Sequence, residues 1–239
     1  MGRVLRGCLI LAAVGMAACS GADRQAGGAT QGDVYGTPPL PVSQILLNEG
    51  EEGAPREVRL FLPEEAGAYP LLQFQHGFIS DVDTYTDMLA RVAGFGFVIV
   101  APQMYVGDPS TAPSVPDETA GAVDVLAWAQ ANLNTILAQR EALATAVVAD
   151  TGLMGHSRGG QVAWRMLFDH PETVARAIAG IDPVDGDAPP FPPGGTGELV
   201  TDDPGAFAFA FPSLIIGMGL GAVGVPGFEC APENRNYSL

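Results

Sequence analysis

The chain has 239 residues, of which 47% are hydrophobic and 16% charged, with a formal net charge of −16 and a pI of about 4.3. This composition is typical of one globular domain that can bury a sizeable core, and the acidic balance excludes a basic surface for nucleic acid. All 11 basic residues are arginines, which also excludes mechanisms that require a lysine, such as a Schiff base or a Ser–Lys dyad.

Residues 1–18 have the pattern of a secretory signal peptide. Two arginines precede an apolar run from Cys8 to Ala18, which is shorter than the roughly 20 residues that a membrane-spanning helix needs. Met16 to Cys19 is similar to a bacterial lipobox, in which Cys19 would become the lipidated first residue. We therefore expect an exported protein, either anchored to the cell envelope through Cys19 or, because Met replaces the usual leucine of the box, secreted.

The composition of the next segment predicts a flexible tether over residues 19–45. Up to about Pro41 it is small, polar and without periodicity. The folded domain is expected over residues 46–239, as a monomer. Cys230 is then the domain's single cysteine and has no obvious partner.

Short apolar runs alternate with helical patterns from residue 56 onward. The first predicted strand, 56–62, alternates apolar and polar residues and is expected to be half-buried. The other predicted strands are 70–77, 95–102, 151–157, 174–182 and 212–219. The predicted helices, each with apolar residues on one face, are 83–93, 117–137 and 158–169, with Asp83 or Thr84 available to cap the first. This alternation predicts an α/β fold, with a mostly parallel sheet and helices on both faces.

A nucleophile motif lies where one predicted strand meets a helix. The residues from Gly155 to Gly159, GHSRG, fit the pattern G-x-S-x-G, with Ser157 at its centre. A sharp strand-to-helix turn would raise the Ser157 hydroxyl above the sheet, and glycines keep side chains out of that turn. The alternative is an ordinary glycine-rich turn, but the strand before and the helix after favour a nucleophile.

Partners for this serine are expected at the carboxyl ends of other strands, where ligands of parallel sheets bind. The backbone N–H groups of Phe78 and Arg158 are the candidate oxyanion donors, and His76 is expected only to orient its loop. Asp182 is the candidate acid and Asp185 ranks second, although either could instead cap a turn.

The segments YPLLQFQHGF, GLMGHSRGG, IAGIDPVDG and CAPENRN resemble the chlorophyllase family of α/β-hydrolases, and the similarity runs from about Val58 to Arg235. The resemblance implies an α/β-hydrolase fold and carboxyl-ester hydrolysis by a Ser–Asp–His triad, with Ser157 as nucleophile and Asp182 as acid. Platelet-activating-factor acetylhydrolases and polyester hydrolases share this scaffold, so the resemblance leaves the identity of the ester open.

None of the three histidines is predicted to be the general base. His76 lies in the oxyanion loop, His156 adjoins the nucleophile with its side chain directed away, and His170 ends a helix. The family pattern continues with a further strand and a Gly-His turn. We therefore expect a catalytic histidine beyond residue 239, a chain that lacks the last strand and helix of its fold, and no activity from these 239 residues alone. The alternative is a non-catalytic surface binding protein.

The substrate is expected to be a small or lipid-like ester in an apolar pocket lined by Ile79, Met104 and Tyr105. Residues 183–212 are rich in proline, glycine and aspartate and are predicted either to cover the site or to be a disordered insertion. Their acidic residues lack an ordered ligand spacing, so neither a metal nor another cofactor is predicted.

Overall fold

Seven strands form one sheet in the computed structural model, which describes residues 35–184 and 211–217. The strands are β1 (Val42–Leu47), β2 (Val58–Pro63), β3 (Gly67–Gln75), β4 (Val98–Pro102), β5 (Ala144–His156), β6 (Ala177–Ile181) and β7 (Ser213–Ile216). The helices are α1 (Thr86–Ala93), α2 (Val115–Gln139) and α3 (Arg158–Phe168), with short 3₁₀ turns at Glu51–Gly53, Val82–Tyr85 and Pro109–Thr111.

The spatial order of the strands is β1-β2-β4-β3-β5-β6-β7. The pairs β1–β2 and β2–β4 are antiparallel, and every later pair is parallel. The prediction of a mostly parallel sheet is thus confirmed. Because β1 is reversed twice relative to β4, it runs in the same direction as the parallel strands and begins at the edge where they begin.

Helices cover both faces of the sheet, as predicted. Alternate residues of each strand point to opposite faces. Phe61, Phe74 and Ile99 pack with Leu89 of α1 on one face. The other face packs against α2 and α3, and its core includes Leu60, Leu71, Val100, Leu133 and Trp164.

The predicted start of the domain at residue 46 is wrong, because β1 begins at Val42. The segment before it is polar, which concealed a strand whose side chains, except for the buried Leu47, are half-buried or exposed and whose backbone pairs with β2. The predicted helix at 83–93 is also divided. A 3₁₀ turn capped by the Asp81 side chain, rather than by Asp83 or Thr84, precedes α1.

Several predictions lie outside the described residues. They concern the signal segment 1–18, Cys19, Cys230 and most of the predicted cover at 183–212. Within the described part of the chain, no helix is long and apolar enough to cross a bilayer.

Leu133 on α2 tests the packing between this helix and the sheet. Its side chain is 0% exposed, whereas Leu143, in the turn before β5, is 61% exposed. We expect Leu133→Ala to lower the free energy of unfolding by about 2–5 kcal/mol, because it removes buried methyl groups and leaves a cavity. The matched control Leu143→Ala should change it by less than about 0.5 kcal/mol. Urea unfolding measures both, and equal losses would contradict this packing.

Candidate active site

Ser157 occupies a strained turn between β5 and α3. Its φ of 53° and ψ of −123° lie in a region that non-glycine residues rarely adopt. The Ser157 N–H donates to the Ile181 carbonyl at 2.9 Å, and its hydroxyl does not cap the helix that follows. This is the strand–turn–helix geometry that the sequence motif predicts for a nucleophilic serine.

The glycines around Ser157 lie where a side chain could not fit. A Cβ atom on Gly155 would collide with the Gly159 carbonyl, and one on Gly159 would collide with the carbonyl oxygens of Gln75 and His76. A Cβ on Gly160 would lie 2.6 Å from the Pro183 Cβ. The turn therefore brings the start of α3 directly against the end of β3.

Asp182 lies beside Ser157 at the carboxyl edge of the sheet. The residues before them, Ile181 and His156, are register partners of β6 and β5. Asp182 also has a positive φ, of 41°, and its N–H donates to the Ile216 carbonyl of β7 at 2.8 Å. The neighbouring strands thus bring together the two residues predicted as nucleophile and acid. Asp185 lies outside the described residues.

His76 braces the loop that follows β3. Its side chain is 0% exposed, its Nδ1 lies 2.8 Å from the Gly77 carbonyl, and its Nε2 accepts from the Met104 N–H at 3.0 Å. These partners require the proton on Nδ1. Burial lowers the pKa of His76, which favours this neutral form. The histidine therefore connects the loop to the end of β4.

Tyr85 connects the same loop to the residue before the nucleophile. Its hydroxyl oxygen accepts from the Gly77 N–H at 3.1 Å and lies 2.7 Å from His156 Nδ1. With the oxygen accepting from Gly77, the tyrosine O–H is suited to donate to His156. Burial lowers the pKa of His156, an effect that the nearby Asp182 charge opposes. Tyr85 lies within the helix predicted at 83–93, and nothing in the sequence pattern marks it as part of a site.

Arg158 carries a buried ion pair beside the predicted oxyanion donors. Its side chain donates from Nε to the Glu118 carboxylate at 2.7 Å and from Nη2 to the Pro113 carbonyl. The guanidinium lies over the rings of Phe78 and Tyr105, at 5.4 and 5.8 Å from their centroids. Burial raises the pKa of Glu118 to about 7, and the Arg158 charge opposes that rise. No sequence pattern marks Glu118 and Arg158 as a pair.

The three residues predicted to line the substrate pocket differ in exposure. Ile79 is 43% exposed and has a positive φ of 51°, whereas Met104 and Tyr105 are 8% and 7% exposed and belong to the core. Burial, and secondarily the Glu118 charge, raises the pKa of the Tyr105 hydroxyl above its usual range. Their role in binding substrate stays a prediction.

His170 completes the set of histidines, with its Nδ1 3.2 Å from the Glu172 carboxylate beyond the end of α3. Among the described residues, no hydrogen bond joins any of the three imidazoles to the Ser157 hydroxyl. The same residues contain no group of three or more His, Cys, Asp or Glu side chains that could hold a metal ion.

Comparison with known proteins identifies the family of this chain. The chlorophyllase family model matches residues 30–238, nearly the whole chain. The chain belongs to the chlorophyllase family. This family is one of α/β-hydrolases, in agreement with the strand order and with the turn at Ser157.

Three plant members of the family illustrate the similarity. Chlorophyllase-1 of Arabidopsis thaliana is 33% identical over 221 residues, which cover 83% of this chain and 61% of the plant protein. Chlorophyllase-1, chloroplastic, of Citrus unshiu is 31% identical over 77% of this chain and 52% of its own length. Chlorophyllase type 0 of Chenopodium album is 30% identical, with 81% and 55% covered. The chain thus spans little more than half the length of these curated relatives.

Gly159 tests the close approach of α3 to β3. Gly159→Ala should lower the free energy of unfolding by at least about 2 kcal/mol, because its Cβ would collide with backbone atoms that cannot move independently. The control is Gly121→Ala in the first half of α2, where the added Cβ meets the end of the flexible Met104 side chain at 2.9 Å and the end of the Arg56 side chain at 3.9 Å. We expect that change to alter stability by less than about 1 kcal/mol, since alanine favours helix. Thermal unfolding distinguishes the two variants.

The buried histidines test the hydrogen bonds of the loop. Because burial lowers the pKa values of His76 and His156 from 6.5, both rings should remain mostly neutral at pH 6.5. Above the unfolded-state pKa of about 6.5, the two neutral rings contribute fully to the free energy of unfolding. As the pH falls below that value, the unfolded chain binds protons before the folded protein does, so this contribution is lost. Ring NMR titration, assigned with His156→Gln, measures these pKa values. A value at or above 6.5 for either ring would contradict the assignment.

Proposed function

We propose that the complete protein is a serine hydrolase that cleaves carboxylic esters through an acyl-enzyme. The observation that carries this proposal is the strained backbone of Ser157 at the start of α3, beside Asp182 at the carboxyl edge of a chlorophyllase-family sheet. Strained non-glycine residues cluster at functional sites, and Ile79, Ser157 and Asp182 all have positive φ near this edge.

In the first half of the reaction, Ser157 Oγ attacks the ester carbonyl carbon while a general base accepts the hydroxyl proton. The carbonyl oxygen becomes an oxyanion, which the backbone N–H groups of Phe78 and Arg158 stabilise. The proton then passes to the leaving alkoxide, so the alcohol departs and the acyl group remains on Ser157. In the second half, water attacks the acyl carbon by the same route and releases the acid. Asp182 orients the base and stabilises its protonated form.

The base in this proposal is a histidine in a part of the protein that follows Leu239. Each histidine of the present chain has other partners: His76 holds Gly77 and Met104, His156 meets Tyr85, and His170 meets Glu172. The aligned regions cover 52% and 61% of two curated relatives, so those proteins contain residues with no counterpart in this chain.

The proposed substrate is a small or lipid-like carboxylic ester, with Ile79, Met104 and Tyr105 beside its acyl or alcohol group. Ile79 supports this role by its exposed apolar side chain, close in sequence to the oxyanion donor Phe78. We further propose that the protein is exported and acts as a monomer without a cofactor, with Cys19 as a lipid anchor.

Ser157→Ala in the protein encoded by the complete gene tests the proposed function. The wild type should hydrolyse 4-nitrophenyl esters, and the variant should lose roughly 10⁶-fold in kcat, since no other group can form the acyl-enzyme. A fluorophosphonate probe should label the wild type at Ser157, as mass spectrometry of the labelled peptide would show.

Ser110→Ala is the matched control, because Ser110 is exposed in the loop before α2 and bonds only locally to Asp108. It should retain wild-type hydrolysis and labelling. A well-folded complete protein that neither hydrolyses esters nor reacts with the probe would instead support a non-catalytic binding protein.

A further inference from the structure

The proposed reaction uses the backbone N–H of Arg158 but leaves its side chain, and Glu118, without a role. Both side chains are buried, with Arg158 5% and Glu118 1% exposed. Arg158 is the only hydrogen-bond partner of the Glu118 carboxylate among the described residues, and the second carboxylate oxygen has none. Burying two charges is costly, and a buried pair is weak evidence for stability. Stability alone therefore does not explain why the fold buries the pair of Arg158 and Glu118.

Two acceptors at the start of α2 hold the Arg158 guanidinium in place. Glu118 lies in the first turns of α2 and holds Nε, while the Pro113 carbonyl, just before this helix, holds Nη2. Two anchors on different atoms fix both the position and the plane of the group, as the forked geometry of arginine allows. The Arg158 side chain thus reaches from the first residue of α3 to the start of α2.

The fixed guanidinium in turn packs against the loop that carries the other oxyanion donor. It lies over the Phe78 ring and the Tyr105 ring, and those two rings are themselves 6.1 Å apart between centroids. Tyr105 also meets the His76 ring edge-on at 5.0 Å. One side chain therefore contacts the residue that supplies the second N–H, while its own backbone supplies the first.

We propose that Glu118 and the Arg158 side chain are positioning groups: through contact with Phe78 they set the spacing of the two backbone N–H groups that stabilise the oxyanion. This inference rests on the proposed function. Displacement of a catalytic group by about 1 Å can cost roughly 100-fold in rate, so a small shift of Phe78 has a measurable effect. Every substitution at Arg158 except proline keeps its backbone N–H, so such a variant separates positioning of the oxyanion donors from donation itself.

Glu118→Gln tests the proposal in the complete protein, with 4-nitrophenyl butanoate as substrate and rates normalised to sites titrated with a fluorophosphonate. We expect kcat to fall by about tenfold or more and KM to stay within about twofold, because the oxyanion forms only after binding. The affinity for phenylboronic acid, which forms a tetrahedral adduct with the serine, should fall by a similar factor. Asp124→Asn, an exposed acid on the same helix, is the matched control and should match the wild type.

The double variant Glu118→Leu/Arg158→Met removes both charges, so it leaves no unpaired buried ion to unfold the protein. It should show the same loss of kcat as Glu118→Gln rather than a larger, additive one, since the two groups act as a unit. If either variant lowers only the unfolding temperature and keeps kcat per titrated site within twofold of wild type, the pair is structural and the inference is overturned. A wild-type protein that hydrolyses no ester overturns the proposed function, and with it the inference, before any variant is made.

Discussion

The contact between Gly159 and the end of β3 constrains the whole site. The first turn of α3 lies against the carbonyl oxygens of Gln75 and His76, with no room for a Cβ atom. A helix this close to a neighbouring strand can leave β5 only through a sharp turn, and Ser157 adopts the positive φ that this turn requires. The same contact fixes the loop after β3 relative to the nucleophile. The geometry of the site thus follows from two backbones that nearly touch.

Most of the architecture could be predicted from local patterns, because most of the parallel strands contain short apolar runs that stand out from the helical patterns between them. There are two exceptions. One is β1, whose side chains are largely half-buried or exposed and whose stability comes from pairing with β2. The other is the first half of β5, residues 144–150, because the predicted strand begins only at residue 151. Half-burial leaves a weak hydrophobic pattern, and the polar segment before Val42 weakened it further. The 3₁₀ turn at Val82–Tyr85 was also hidden, because its cap is the Asp81 side chain, two residues earlier than the predicted cap.

The candidate site likewise contains residues that could be predicted from the sequence and residues that could not. Ser157 and Asp182 could be predicted because each directly follows a strand, and strand ends are readable from sequence. Glu118 and Tyr85 could not, because each meets its partner across 40 or 71 residues of chain. An acid in the first turns of a helix is normally solvated and stabilised by the helix dipole, so nothing local marks Glu118 as buried. Such pairs emerge only when α2 is packed against the sheet.

The direction of β1 separates the amino-terminal attachment of the domain from its candidate site. This strand begins at the edge of the sheet where the parallel strands begin, while Ser157 and Asp182 lie at the opposite edge. Whatever precedes Val42 therefore joins the domain on the side away from the serine. An attachment at the amino terminus would therefore leave the approach to the candidate site unobstructed, whatever orientation a flexible tether allows.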